Sequence, residues 1–221
     1  MLEIFTRGGP VMVAIALCSI ASLTIILEKL FLVRSTKKRM DAFQDRIQGV
    51  LKYGHLEEVE LRAKEQPNPL ARIFLAGLDK LGAGEVRIKE AIQYAGEKEA
   101  RRLEQHMSGL ATIVSGAPLL GFLGTVLGMI KAFQQIELLG GNVNASVLAG
   151  GIWEAMLTTA AGLTVAVPTL FAHNYIVAKI RTLVLELEEA SQTLIDSLSS
   201  GHRESPESPQ PRRSQSPEGN R

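Results

Sequence analysis

The sequence predicts an all-α membrane protein in which three transmembrane helices carry long cytoplasmic helical extensions. Three observations predict it: three apolar runs of bilayer length, charge confined to the segments between and after them, and 3.6-residue periodicity in those segments. Of the 221 residues 46% are hydrophobic but only 5% aromatic, and the 21% that are charged avoid the apolar runs. That segregation marks a membrane protein with soluble extensions. The net charge of +1 creates no global field for nucleic acid, so no nucleic-acid partner is expected.

Residues 1–7 form a short N-terminal interfacial segment, and residues 8–33 the first transmembrane helix. Residues 8–27 carry no charge, and 20 residues at about 1.5 Å each match a hydrocarbon core of about 30 Å. The Glu28-Lys29 pair and a further apolar stretch to Val33 follow. A cleaved signal peptide fits poorly, because Arg7 is the whole basic region, the apolar block is too long, and no small-residue cleavage site precedes the charges. The single cysteine, Cys18, excludes an internal disulfide and reads as a packing residue.

Residues 34–106 read as a cytoplasmic helical domain. Met40, Phe43, Ile47, Val50 and Leu51 make one apolar face, and Pro67-Asn68-Pro69 then breaks the chain. After Gly82 and Gly84 a second helix begins, with Ile88, Ile92, Ala95 and Leu103 on one face and Glu85/Lys89 and Glu97/Arg101 as i,i+4 pairs. Nothing in the sequence breaks it before the second apolar run. A helix continuous from residue 85 to 133 would be about 73 Å long.

The second transmembrane helix is placed at 107–136, a periplasmic turn at 137–146 and the third helix at 147–178. Residues 107–130 and 155–178, 24 each, hold no acidic or strongly basic side chain. Between them GGNVNAS suits a turn, with Asn144 or Ser146 as helix cap. Asn144-Ala145-Ser146 matches a glycosylation sequon by chance, since no secretory context accompanies it. Arg34, Lys37, Lys38 and Arg39 follow the first run, Arg101 and Arg102 precede the second, and Lys179 and Arg181 follow the third. These clusters put one side in the cytoplasm, the C-terminus included, and leave the N-terminus and the turn facing the periplasm. Lys131, near the outer end of the second run, is expected to extend its stem to the headgroups.

Ile176, Ile180, Leu183, Leu187, Ala190 and Leu194 form a heptad seam that prolongs the third helix as a cytoplasmic helix over 179–198. It suits packing on the helix from Glu85 in the same chain, or contacts that include neighbouring subunits. Residues 199–221, rich in Ser, Pro, Glu and Arg, read as a disordered tail.

Within the membrane, Ala117, Gly121, Gly124 and Gly128 place a stripe of tiny side chains on one face of the second helix, where backbones approach closely. Gly162 of the third run joins them as a helix-packing residue, and Pro118 can bend the second helix. Thr125, beside the stripe, either bonds its own backbone or lines a polar path. Glu154, Thr158 and Thr159 at i, i+4 and i+5 share one side of the third helix. A charge in an apolar run costs roughly 2.5–3.5 kcal/mol on insertion scales and usually persists because something uses it. Burial of a carboxylate favours its neutral form, which suits a proton site. The plainer reading puts Glu154 in the first turn of a helix from Ser146, favoured by the helix dipole, with Trp153 at the membrane interface. His173 and Asn174 end the run as interfacial or packing residues. No metal-ligand spacing, nucleophile elbow or phosphate-cradling loop is present, so no cofactor and no conventional enzyme activity are expected.

At GFLGTVLGMIKAF (121–133) and GIWEAMLTTAAGLTVAVPTLFAHN (151–174) the sequence closely resembles the MotA/TolQ/ExbB proton-channel family, nearest to its ExbB and TolQ branches. The likeness is strong over residues 108–179, and the three-run layout fits the four-helix MotA branch less well. It implies a homo-oligomeric ring, pentameric in the known architecture, around the helices of an ExbD/TolR-like single-span partner, in the bacterial inner membrane. The complex would use the proton motive force to energise transport or envelope processes, with a TonB-like or Tol-type transducer as a further partner and membrane lipid around it. The family's pore-facing residues map onto Glu154, Thr159 and Thr125, and the partner supplies an essential aspartate. Asp41, Asp45, Asp79 and Asp196 all lie outside the apolar runs here, which fits a channel completed by another protein. Trp153 departs from the pattern, standing where members often carry a small residue. A membrane scaffold without conduction, and a self-sufficient ion channel, are the alternatives.

Overall fold

The computed structural model describes residues 9–52, 55–138 and 145–203; side chains at 48, 51, 52, 145–148 and 198–203 are outside the description. Among these residues the chain is helical, without strands: α1 (Gly9–Lys52), α2 (Leu56–Glu65), α3 (Pro69–Leu78), α4 (Glu85–Glu104), α5 (Met107–Leu138) and α6 (Ala145–Arg203). Three stretches, in α1, in α4–α5 and in α6, are long and apolar enough to cross a membrane, and the protein is a multi-pass membrane protein.

α1 is one helix of 44 residues, so the first apolar run and the Met40–Val50 face belong to a single rod about 66 Å long. Its buried side is continuous, running through Val11, Ile15, Ser22, Lys29, Val33, Thr36, Met40, Phe43, Ile47 and Val50. The steps of 3, 4 and 7 keep one face inward along the whole length. Leu17, Ile20, Leu23, Leu27 and Phe31 point away from the other helices, as suits a lipid or subunit contact.

The core of the extensions is built around α3. Leu70, Ala71, Ile73, Phe74 and Leu78 are buried between α1, α4 and α6, and Phe74 meets Phe43 edge to face at 5.8 Å. The Pro67-Asn68-Pro69 break becomes a helix start: Asn68 accepts from the Ala71 N–H at 2.9 Å, and Pro69 takes a first-turn position where its missing donor is harmless. Asn68 is almost fully buried, so Asn68→Ala leaves that donor unpaired. The expected loss is about 1–2 kcal/mol, read as a lower unfolding temperature of the purified protein, and Asn68→Asp should largely restore it.

The seam of α6 packs in the same chain. Ile176, Ile180, Leu183, Leu187 and Leu194 are buried and Ala190 half-buried, in one cluster with α1, α3 and α4. Lys37, four residues past Val33, ties α1 to α6 by donating to Glu186 at 2.7 Å. That hydrogen bond, against some burial cost and helped by Asp41, raises the Lys37 pKa. The link therefore holds through neutral pH and is lost only as pH climbs through the raised value.

Two expectations are overturned. The helix from Glu85 does not continue into the second run: Gln105 is extended (φ −49°, ψ 140°) and His106 adopts φ 67°, so α4 ends at Glu104 and α5 starts at Met107. The break is made by tertiary contacts rather than by a breaker residue. Lys29, 1% exposed, donates to the Leu103 carbonyl at 3.0 Å, and His106 lies 3.6 Å from Glu28. An ammonium at the carbonyl end of α4 satisfies an orphan acceptor and complements the helix dipole. Secondly, α6 stays helical to Arg203, five residues into the expected tail. Residues 204–221, the rest of that tail, lie outside the described residues, as do the 1–8 segment, most of the 137–146 turn, Asn144 and the side chains of Leu51 and Ser146.

Candidate functional site

α5 and α6 form an antiparallel hairpin whose contact is made of the smallest side chains in the chain. Ala117, Gly121, Gly124 and Gly128 are buried on α5, and Ala155, Thr158, Gly162 and Ala166 face them from α6. A Cβ at Gly162 would stand 2.6 Å from the Ala117 carbonyl oxygen and 3.1 Å from the Gly121 Cα. At Gly128 it would stand 2.9 Å from the Ala155 Cβ and 3.0 Å from the Gly151 carbonyl oxygen, and at Gly124 it would overlap the Thr158 hydroxyl. Backbones thus touch where side chains are missing, which is how membrane helices gain packing without a hydrophobic drive.

Two hydroxyls sit at the centre of this contact. Thr159 donates to the Gly121 carbonyl at 3.0 Å across the hairpin, while Thr158, 1% exposed, donates to Ala155 at 2.8 Å and lies 3.4 Å from the same Gly121 oxygen. Thr125 is half-buried and donates to Phe122 of its own helix at 2.6 Å; no described hydrogen bond joins it to Glu154, Thr158 or Thr159. His173 lies 3.3 Å from its neighbour Asn174.

Glu154 stands nine residues into α6, well past the first turn, and its side chain is 23% exposed while Trp153 beside it turns outward. Its Oε1 receives a hydrogen bond from Lys131 Nζ of α5 at 2.5 Å. Lys131 thus forms an ion pair across the hairpin, with a partner that sequence reasoning did not assign to it. Gly9, first residue of α1, lies over the pair: a Cβ there would be 3.0 Å from Glu154 Oε1 and 3.5 Å from Lys131 Nζ, and φ is +64°. A side chain at this position would meet a backbone penalty, since the positive φ favours glycine. All three long helices converge on the carboxylate.

A sequence profile described as the MotA/TolQ/ExbB proton channel family matches residues 65–189, more than half of the chain, with all of α5 and α6 as far as Glu189. The chain belongs to the MotA/TolQ/ExbB proton channel family. Among its relatives in this family, a protein named biopolymer transport protein ExbB-like 3 from Synechocystis is 32% identical over 190 residues, covering 84% of this chain and 89% of the relative. The Tol-Pal system protein TolQ of Pseudomonas aeruginosa is 29% identical over 188 residues (79% and 80%), and an ExbB of Neisseria gonorrhoeae 36% identical over 94 residues (42% and 42%). The protein is a proton-channel-type membrane subunit of the MotA/TolQ/ExbB family, and its relatives include both ExbB and TolQ proteins.

Sequence reasoning missed Lys131 as the partner of Glu154, and Gly9 as its cover. A signal was present: opposite charges flank one tight turn, so an antiparallel hairpin brings both to the same end. For Gly9 there was none, because contact between α1 and the hairpin mouth is purely tertiary.

Proposed function

We propose that the chain is the stator-like subunit of an ExbB/TolQ-type complex in the bacterial inner membrane, where several copies, five by family analogy, surround an ExbD/TolR-like single-span partner. Proton flow at their interface would energise transport or envelope processes through a TonB-like or Tol-type transducer. Each charge crossing 100 mV releases about 2.3 kcal/mol for such work. The N-terminus and the α5–α6 turn lie in the periplasm, and the extensions and C-terminus in the cytoplasm, because the basic clusters at 34–39, 101–102 and 179–181 share one side. In this reading the segments 34–106 and 179–198 form the cytoplasmic body. Glu154 is the protonatable or electrostatic pore residue, Thr159, Thr158 and Thr125 are polar lining, and Ala117, Gly121, Gly124, Gly128 and Gly162 hold the hairpin closed.

The observation that carries this reading is Glu154 itself, an acid largely withdrawn from water at the meeting point of three membrane helices. The ion pair to Lys131 gives a rival some support, a scaffold in which Glu154 only staples the hairpin. Reconstitution decides among the readings. The chain alone in liposomes should pass few protons under an imposed gradient, and the chain with its co-purified single-span partner should pass many. High flux from the chain alone would make it a self-sufficient channel, and none from the complex would leave a scaffold.

A further inference from the structure

The reading of Glu154 as a protonatable pore residue leaves Lys131 without a role, although this residue is hydrogen-bonded to that carboxylate at 2.5 Å. We propose that Lys131 is a tethered counter-ion that occupies Glu154 while the chain is without its partner and must be displaced before the carboxylate takes up a proton from the turn side of the hairpin.

The two partners are unequally placed. The Glu154 side chain is 23% exposed and held among helices, whereas that of Lys131 is 52% exposed, so the carboxylate is fixed and the ammonium can swing away. The lysine stem has four rotatable bonds and carries a compact charge, which suits a movable plug better than a rigid guanidinium would. Gly9 lies close over the pair, a Cβ there standing 3.0 Å from Glu154 Oε1 and 3.5 Å from Lys131 Nζ. The N-terminal end of α1 adds partial positive charge on the same side.

The partner's helix is the natural agent of displacement in this scheme, because an acidic residue on it would offer Lys131 an alternative carboxylate. Exchange of one carboxylate partner for another costs far less than leaving the ammonium unpaired. The resting state is then closed and the engaged state open, without any large helix movement.

The test uses the full-length chain alone in liposomes, where no partner displaces Lys131. Lys131→Met should raise the resting proton leak about fivefold, the factor that corresponds to roughly 1 kcal/mol of lost pairing at a partly exposed site. Lys131→Arg should stay tight, and Lys131→Met added to Glu154→Gln should leak no more than Glu154→Gln alone. Should Lys131→Met assemble poorly, the unmutated protein still decides: a water-soluble carbodiimide should join Lys131 Nζ to the Glu154 carboxyl as an amide, the carbodiimide taking up the water released as it becomes a urea. Peptide mass spectrometry detects the link. A leak unchanged by Lys131→Met, or no Lys131–Glu154 cross-link in the chain alone, overturns the proposal. The proposed function survives that failure if Glu154→Gln still stops transport, and falls separately if it does not.

Discussion

Gly162→Leu should abolish the α5–α6 hairpin and with it the folded protein in the membrane. The Cβ alone would sit 2.6 Å from the Ala117 carbonyl oxygen and 3.3 Å from the Gly121 backbone nitrogen, and both obstacles are main chain of a helix that cannot rotate away. A side-chain obstacle could change rotamer, but here the helices must separate. Separation breaks the Thr159 bond to Gly121 and the close contacts at Gly124, Gly128 and Gly151 together. Gly162→Ala should already cost about 1–3 kcal/mol, as overpacking of a tight contact does, and leucine several times the displaced volume. Thermal unfolding in detergent and the amount of protein recovered from membranes measure it. Gly116→Ala is the control, because nothing lies within 4 Å of a Cβ there.

Glu154→Gln should reduce partner-dependent transport in cells to background while leaving the protein folded and assembled. Glutamine keeps the shape and can still accept a hydrogen bond from Lys131, so the three-helix junction retains most of its packing. It carries no charge and takes up no proton near neutral pH. Glu154→Asp keeps the carboxyl but withdraws it by one methylene from an ammonium 2.5 Å away, and should leave partial activity. Equal membrane levels of the variants make the comparison valid. This pairing separates chemistry from stapling, since glutamine keeps the shape and the hydrogen bond but offers no proton site.

Much of this architecture was legible from periodicity. The tiny-residue stripe of α5 and the seam of α6 both follow the helical repeat, and a repeat maintained over several turns has one consistent inward face. The Pro67-Asn68-Pro69 element was legible as a break, because proline restricts its neighbours by local sterics. What stayed hidden depends on distant partners. The stop at Gln105 and His106 is set by Lys29, 74 positions from the Leu103 carbonyl that it binds. The central position of α3 also escaped, since a ten-residue apolar helix looks the same in sequence whether it caps a bundle or fills it. Glu99, paired to Arg72 at 2.5–2.7 Å and 5% exposed, reads in sequence as one more surface charge on α4. At the candidate site Glu154 was visible as a charge out of place, while the identity of its neighbour required the hairpin to be folded in register.

The most direct measurement is proton flux through the complete complex in liposomes, comparing the native chain with Glu154→Gln under the same imposed pH gradient and membrane potential. Flux should require the single-span partner and disappear with glutamine at position 154. Undiminished flux through a fully assembled Glu154→Gln complex would contradict that expectation.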